Sequence, residues 1–195
     1  MITKKNLEVI NFIYSTGYAT IDQIAKIFYN HSKYAYDMAR RDLNKILRED
    51  KYLRMFRNAP TNQNIYTPIE SKISKISYHN VKALDYLANL KGLGVEIEKV
   101  EREKDLGGVL PDLYVVFTFN GCRYYQLVEI QTRHESVDVN RYLKVEDVIN
   151  SLSNGNPSDL VIIQNTRKNY DDENQTNLKI IQLDLDMSEI AKVLI

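Results

Sequence analysis

The dipeptide Asn120-Gly121 separates two runs of apolar, β-branched and aromatic residues in the stretch "PDLYVVFTFNGCRYYQLVEIQTR". Asn-Gly between two such runs is the strongest short-range signal for a two-residue hairpin turn, because both turn residues adopt a positive φ. With these residues in the turn, Phe119 faces Cys122, and each step outward adds one further pair. The sequence therefore predicts a hairpin of fixed register. One of its faces is apolar and is expected to be buried: Leu113, Val115, Phe117, Phe119, Val128 and Ile130.

Two carboxylates meet at the open end of this predicted hairpin. The register pairs Asp112 with Glu129, and Gln131 lies on the same face because residues two apart on a strand share a face. Opposed carboxylates, about 5 Å apart at Cβ, repel each other unless a proton or a cation lies between them. We therefore expect a divalent ion, with Mg²⁺ favoured by oxygen ligands and the backbone carbonyl of Ile130 as a further donor. Such an ion would polarise a phosphate and lower the pKa of an attacking water.

The first seventy residues have the pattern of a winged helix. A first helix ends at Gly17, Thr20 and Gln23 form a capping box for a second, and Ser32 is expected to cap a third. The segment "YLRMFRNAPTNQNIYTP" follows, with two short strand-like runs around a turn-rich centre, as in a wing. In such units the second helix of the helix-turn-helix pair enters the DNA major groove. Candidate DNA-contacting side chains on the third helix and the wing are Lys33, Tyr36, Arg40, Arg41, Asn44, Arg54 and Arg57.

Charge is distributed unevenly along the chain, although the formal net charge is zero. Residues 1–68 carry eleven Lys/Arg against six Asp/Glu, whereas the remainder carries fifteen against twenty. The basic first part favours DNA as its partner. On this interpretation Arg40, Arg41 and Asn44 read bases, and Arg54 and Arg57 contact phosphates. A solvated helix face, or a helix-turn-helix unit that binds protein, explains the same residues without DNA.

The second part of the chain predicts a mixed sheet with helices against it, and hence an α+β protein. A helix is expected over "SYHNVKALDYLANLKG" and another from Ser136 to Leu152, with Asn154-Gly155 as its stop. Strands are expected over "VEIEKVERE", "DLVIIQN" and "NLKIIQLDL", and a last helix over "MSEIAKVL". The predicted division is a winged-helix domain at residues 1–70 and a second domain at residues 71–195.

Several classes of function are disfavoured by what the sequence lacks. Cys122 is the only cysteine, so no intramolecular disulfide or cluster of zinc-binding thiolates can form, and a reducing cytoplasm is expected. His31, His79 and His134 are scattered without metal-binding spacing. No run approaches the roughly 20 apolar residues of a membrane span, and no glycine-rich phosphate loop is present. Membrane insertion and ATP hydrolysis are therefore not expected.

Pro111-Asp112, followed on the next strand by Glu129-x-Gln131 and then by a helix, resembles the PD-(D/E)xK restriction-endonuclease-like superfamily. The whole order, from the winged helix through "SYHNVKALDYL" to "KVEDVINSL", looks like the replication-relaxation proteins of plasmids and related mobile elements. The resemblance implies binding of double-stranded DNA and a role in plasmid replication, relaxation or mobilisation, with a relaxase or replication protein as a further partner. It also implies that Asp112 and Glu129 bind metal and that Gln131 takes the place of the catalytic lysine.

The replacement of that lysine by Gln131 leaves three functions open. Glutamine can orient a water but carries no positive charge, and Lys144 or Arg141 on the following helix are the candidates to supply it. The chain is then a DNA-binding protein with a nuclease-like second domain, a Mg²⁺-dependent endonuclease or nickase, or an adaptor for a relaxase or replication initiator. Homodimers are common among winged-helix proteins, but no heptad repeat here indicates how this chain would form one.

Overall fold

The computed structural model describes residues 2–133, 136–170 and 174–195. It contains both helices and strands, so the chain is an α+β protein, as the sequence predicts. The chain divides into two compact units, Met1–Gly92 and Leu93–Ile195, each with its own sheet. Among the described residues, no helix combines the length and the apolar character that crossing a bilayer requires.

The first unit contains α-helices and a small antiparallel sheet. Its helices are α1 (Lys4–Thr16), α2 (Ile21–Phe28), α3 (Ala35–Lys45) and α4 (Tyr78–Gly92). A π-helical turn, Ile46–Asp50, extends α3. The strands are β1 (Ala19–Thr20), β2 (Leu53–Asn58) and β3 (Gln63–Pro68), and their order in the sheet is β1-β3-β2.

Local sequence signals account for the ends of the first two helices. Gly17 follows α1 with a φ of 82°, a left-handed conformation that glycine adopts without a steric penalty. The capping box of α2 is confirmed, since Thr20 Oγ1 accepts from the Gln23 N–H at 3.2 Å and Gln23 Oε1 accepts from the Thr20 N–H at 2.8 Å. Ser32 does not cap α3, which begins three residues later. Its hydroxyl oxygen accepts from the Tyr34 N–H instead, because serine stabilises turns as readily as helix ends.

Helix α4 belongs to the first unit, so the structural boundary lies after Gly92 and not at residue 70. The Gln23 side-chain amide donates to the Val81 carbonyl at 3.2 Å and to Asp85 Oδ1 at 2.7 Å, which joins α2 to α4. The buried face of α4 consists of Val81, Ala83, Leu84, Tyr86, Leu87, Ala88 and Leu90. Periodicity alone shows that this helix has an apolar face, but it does not show which core that face joins.

A five-stranded mixed sheet forms the centre of the second unit. Its strands are β4 (Glu96–Arg102), β5 (Leu113–Phe119), β6 (Cys122–Gln131), β7 (Asp159–Gln164) and β8 (Lys179–Leu183), in sequence order across the sheet. The pairs β4–β5 and β5–β6 are antiparallel, whereas β6–β7 and β7–β8 are parallel. The mixed sheet predicted from the sequence is thus confirmed.

The β5–β6 hairpin has the predicted register. Leu113 pairs with Val128 at the open end, and the pairing continues in step to the turn. Asn120 and Gly121 have φ values of 49° and 79°, as a two-residue turn of this kind requires. The turn dipeptide therefore sets which side chains share a face along the whole hairpin.

Both faces of this hairpin are buried, although the sequence predicts burial of only one. The predicted apolar face is buried except for the half-buried Phe119. The other face contributes Tyr114, Val116, Tyr125 and Leu127 to a core cluster that includes residues of the segment 137–149. Glu129 shares this second face, so it lies beside a core and not on an open sheet surface.

The segment after β6 is not the single helix that the sequence predicts. A 3-10 helix (Val139–Val145) comes first, and a short α5 (Glu146–Leu152) follows. Tyr142 is buried together with the residues three before and three after it, and a spacing of three is the period of a 3-10 helix. The last predicted helix is likewise a 3-10 helix, Ile190–Leu194.

Candidate nucleic-acid interface and carboxylate cluster

The outer face of α3 carries the basic side chains predicted to contact DNA. Ala39 and Leu43 are fully buried, which turns Arg40 and Arg41 towards solvent, and the Arg41 side chain is 72% exposed. Tyr36 is 48% exposed one turn before them. The structure therefore brings a tyrosine and two arginines to one accessible side of the helix.

Two further predicted contacts lie at the margins of this face. Lys33 precedes α3, and its ammonium lies 5.0 Å from the centroid of the Tyr34 ring. Asn44 is half-buried near the end of the helix. Lys33 is exposed and available to a ligand, whereas Asn44 lies partly against the protein.

A partly buried hydrogen bond fixes α3 against the end of α2. The Tyr29 hydroxyl donates to Asp42 Oδ2 at 2.7 Å, and Arg41 Nε donates to Asp42 Oδ1 at 3.2 Å. Burial, and then the Asp42 carboxylate, raise the pKa of Tyr29, so the hydroxyl keeps its proton. Asp42 thereby orients both the helix and one of its arginines. The sequence gives no signal for this contact, because Tyr29, which follows α2, and Asp42 of α3 are 13 residues apart.

The two arginines of the β2–β3 hairpin are bonded to other groups of the protein. Arg57 donates to Asn62 Oδ1 at 2.7 Å and to Asn64 Oδ1 at 3.4 Å. Arg54 donates to the Ile73 carbonyl and is half-buried, whereas Arg57 is exposed. Of the two, Arg57 is better placed for contact with a phosphate.

Glu129 is the centre of a buried polar cluster near the end of β6. It is 5% exposed, and its Oε1 accepts hydrogen bonds from the Arg141 guanidinium and from the Tyr142 hydroxyl. The guanidinium also lies 5.4 Å from the Tyr142 ring centroid. Both donors come from consecutive positions of the first 3-10 helix, so this short element supplies a cation and a neutral donor to the same oxygen.

Burial and the neighbouring charges together set the proton affinities in this cluster. It raises the pKa of Glu129, against the opposing effects of Tyr142 and Arg141, and the Asp112 carboxylate raises it further. Burial and the Glu129 carboxylate raise the pKa of Tyr142. Burial alone would lower the pKa of Arg141, but the Glu129 carboxylate more than offsets this and the pKa is raised. Tyr142 and Arg141 therefore keep their protons and act as donors to Glu129.

Asp112 lies one residue before β5, next to Glu129. Its Oδ2 accepts from the Ile130 N–H at 2.7 Å, which ties the carboxylate to the backbone of β6. Since Ile130 directly follows Glu129, this bond holds Asp112 close to Glu129, and the Asp112 charge raises the Glu129 pKa. The structure thus brings together Asp112, Glu129 and Ile130, which the sequence predicts to be neighbours.

Gln131 and Lys144 are placed differently from these acids. Gln131 is the half-buried last residue of β6, in parallel register with Gln164 of β7. Lys144 is exposed and forms no ion pair with another described residue, whereas Arg141, three positions earlier on the 3-10 helix, reaches Glu129. The positive charge beside Glu129 is therefore that of Arg141.

The donor set at Asp112 and Glu129 does not fit a Mg²⁺ ion in this arrangement. Mg²⁺ requires near-octahedral oxygen ligands at about 2.0–2.1 Å. One oxygen of each carboxylate already accepts hydrogen bonds, and a guanidinium in contact with Glu129 repels a dication. In the part of the chain that the structure describes, no group of three His, Cys, Asp or Glu residues could hold a metal ion. His134 lies outside the described residues.

A second chain of polar contacts crosses the ends of β7 and β8 and was not predicted. The Gln164 side-chain amide donates to Gln182 Oε1 at 3.2 Å, and the Tyr170 hydroxyl donates to Gln164 Oε1 at 3.2 Å. The Tyr170 oxygen in turn accepts from the Val137 N–H at 3.2 Å. These hydrogen bonds anchor Val137, at the start of the segment that carries Arg141. The only sequence signal for it is a glutamine in each of two apolar strands.

Comparison with family models, with curated proteins and with solved structures finds no match to this chain.

Proposed function

We propose that the protein binds double-stranded DNA through the outer face of α3 and the β2–β3 hairpin of its first unit. The observation that carries the proposal is the exposed pair Arg40 and Arg41 on a helix whose opposite side is buried. The succession of three helices and a hairpin, with the sheet order β1-β3-β2, supports the interpretation of this unit as a winged helix. In such units the position of α3 is that of the recognition helix.

The charge of the first unit supports the same proposal. Within the structural boundary, residues 1–92 carry fifteen Lys/Arg against eight Asp/Glu, a net charge of +7, and residues 93–195 carry a net charge of −7. The asymmetry is larger than the one obtained by dividing the chain at residue 68, because the segment that includes α4 adds four lysines and only two acids. A unit of this charge attracts the phosphate backbone from a distance.

The resemblance to replication-relaxation proteins leads us to propose that the duplex belongs to a plasmid or another mobile element. The protein would then act in the cytoplasm, in replication, relaxation or mobilisation of that element. DNA fragments from the neighbourhood of its own gene are therefore the first ligands to test.

Replacing Arg40 and Arg41 together by alanine is expected to weaken duplex binding by roughly fivefold or more for each arginine, since each such contact contributes about 1–3 kcal/mol. Binding is measured by fluorescence anisotropy with a labelled duplex, from about 50 to about 200 mM salt. We expect the wild-type affinity to fall steeply with salt. In a plot of the logarithm of the binding constant against the logarithm of the salt concentration, the slope is negative. Its magnitude should be smaller by about 0.9 for each phosphate contact that the variant loses.

The matched control is the pair Arg102→Ala and Arg133→Ala, which removes two exposed arginines from the second unit. This variant changes the net charge by the same amount and should keep the wild-type affinity. An equal loss in both variants would mean that total charge governs binding and not the α3 face. Wild-type binding that is insensitive to salt, or no binding to any duplex, would contradict the proposal.

An endonuclease or nickase is the second candidate function, and the proximity of Asp112 and Glu129 favours it. That chemistry needs a divalent ion between the two carboxylates, and Arg141 opposes such an ion. Metal binding by the wild-type protein, lost on replacement of Glu129, is therefore the result that would support the nuclease function.

A further inference from the structure

A guanidinium lies against Glu129, one of the two carboxylates that a metal ion at this cluster would have to contact. Glu129 Oε1 accepts from Arg141 and Tyr142, and the neighbouring Asp112 is bonded to the backbone of β6. The side chain of Glu129 is 6% exposed, against 37% for that of Arg141. The carboxylate is thus removed from water, and its charge is balanced by a residue that reaches it from the protein surface.

Glu129 is buried, so its negative charge needs a cation beside it. A carboxylate taken out of water is costly unless it is paired and hydrogen-bonded. Arg141 supplies the opposite charge and Tyr142 a second hydrogen bond, and the Tyr142 side chain is fully buried. Val139 and Val145 are buried on the same side of the 3-10 helix as Tyr142, so the backbone that carries Arg141 is held by the core.

A divalent ion at Glu129 would have to overcome the repulsion of the Arg141 guanidinium. It would also compete with the hydrogen bonds that Glu129 Oε1 and Asp112 Oδ2 already accept. Among the described residues, no third His, Cys, Asp or Glu joins these two carboxylates as a possible ligand. The charge of Glu129 is therefore balanced by a residue of the protein itself.

We infer that Arg141 is the permanent counter-ion of Glu129, so that the second unit holds its pair of carboxylates without a divalent metal ion. Arg141 is a positioning residue: it holds Glu129 and, through this contact, the 3-10 helix against β6. The inference concerns charges within the second unit and does not depend on DNA binding by the first.

Thermal unfolding of the full chain in Mn²⁺ and in EDTA tests the inference on the wild-type protein. We expect the same Tm in both, because an ion that does not bind the folded state cannot stabilise it. A Tm that rises with Mn²⁺ concentration, with the rise lost in Glu129→Gln, would overturn the inference. The same result would favour the metal-dependent nuclease.

Replacing Arg141 measures how far Glu129 depends on it. Arg141→Met keeps an unbranched apolar side chain and removes the charge, and we expect the Tm to fall by roughly 10 °C or more, as for other broken buried pairs. The double variant Glu129→Gln, Arg141→Met should unfold at a higher temperature than Arg141→Met, because no uncompensated charge is left. Loss of apolar packing alone would not produce this recovery.

The matched control is Arg123→Met, which breaks the ion pair with Glu98, whose side chains are 53% and 31% exposed. We expect its Tm to change by less than about 3 °C, since exposed pairs contribute little. Equal Tm values for Arg141→Met and Arg123→Met would overturn the inference. If Arg141→Met does not fold, the double variant Glu129→Gln, Arg141→Met takes its place: it should fold because no uncompensated charge is left, and its failure to fold would overturn the inference.

Discussion

Asp159 begins β7 with its carboxylate partly removed from water. The Gln126 side-chain amide lies 3.5 Å from Asp159 Oδ2, and Lys179 is its partner in register on β8. Burial raises the pKa of Asp159, and the hydrogen bond from Gln126 and the charge of Lys179 reduce this rise without cancelling it. The folded protein therefore holds a proton on Asp159 more firmly than the unfolded chain does.

This pKa shift gives a pH dependence of known sign. A carboxyl whose pKa is raised on folding stabilises the protein below its unfolded value of 3.8, and this contribution is lost as the pH rises through the folded value. Asp159→Asn keeps the shape and an acceptor for Gln126 but does not titrate. We expect the free energy of unfolding of the wild type, minus that of the variant, to fall as the pH is raised from about 4 to about 7. Urea unfolding across this range measures the difference, and a difference that is constant or rises would contradict the assignment.

One contact of Glu129 could be predicted from the sequence, and another could not. The position of Asp112 beside Glu129 follows from the turn at Asn120, because the register counts outward from it to Leu113 and Val128, the neighbours of these two acids. The contact of Arg141 with Glu129 cannot be obtained from the register of the hairpin. It depends on the type of helix that the segment after β6 forms. An α-helix and a 3-10 helix present different residues to the sheet after a single turn.

The turn between β5 and β6 is an element that one glycine makes possible. Gly121 has a φ of 79°, and a Cβ there meets nothing within 4 Å, so strain of the backbone is the whole cost of a side chain. We expect Gly121→Ala to lower the free energy of unfolding by about 1–2 kcal/mol. Denaturant unfolding measures this loss.

Gly92→Ala is the matched control for this element. Gly92 ends α4, its φ is not positive, and a Cβ would again meet nothing within 4 Å. Alanine in a helix is favoured over glycine by up to about 1 kcal/mol, so this variant should be neutral or more stable. If Gly121→Ala and Gly92→Ala lowered the free energy of unfolding equally, the hairpin would not depend on the left-handed conformation of Gly121.

Elements with purely local determinants were predicted well. The capping box at Thr20, the stop at Gly17 and the hairpin turn each depend on residues within three positions of one another, and the structure confirms all three. The segment 136–152 was predicted as a single helix, and this was wrong. Its apolar spacing fits both helical periods, and the Asp138 side chain, which accepts from the Asn140 N–H, starts a 3-10 helix within it.

At the scale of the whole molecule, zero net charge conceals two units of opposite charge. Long-range attraction of a duplex to the basic unit is opposed by the acidic unit of the same chain wherever screening is weak, since the Debye length is about 30 Å at 0.01 M salt. Neutralising the exposed Glu96 and Asp147, as Glu96→Gln and Asp147→Asn, should therefore accelerate association with DNA at low salt.

Stopped-flow association rates as a function of salt check this expectation. The double variant and the wild type should converge above about 0.3 M salt, where exposed charges are screened within a few ångströms. Convergence is the internal control, because a structural change in the face proposed to bind DNA would alter the association rate at every salt concentration. An unchanged rate at low salt would contradict the expectation.

The division of the molecule was predictable only in part. The change of charge along the sequence indicates two units, but α4 was assigned to the wrong side of the boundary, since its attachment depends on Gln23 reaching Val81 and Asp85. Contacts between residues about 60 positions apart leave no periodic pattern in a single sequence. The α+β class and the mixed sheet were predictable because they follow from the order of the elements.

The exposed residue that follows the Asn120-Gly121 turn is Cys122, and it is the only thiol in the chain. A maleimide dye would therefore attach at one position, at the tip of the β5–β6 hairpin. The label would lie on the strand that carries Glu129 and outside the unit that carries α3. A single unmutated protein can thus report on the second unit by its fluorescence while the first unit is titrated with DNA.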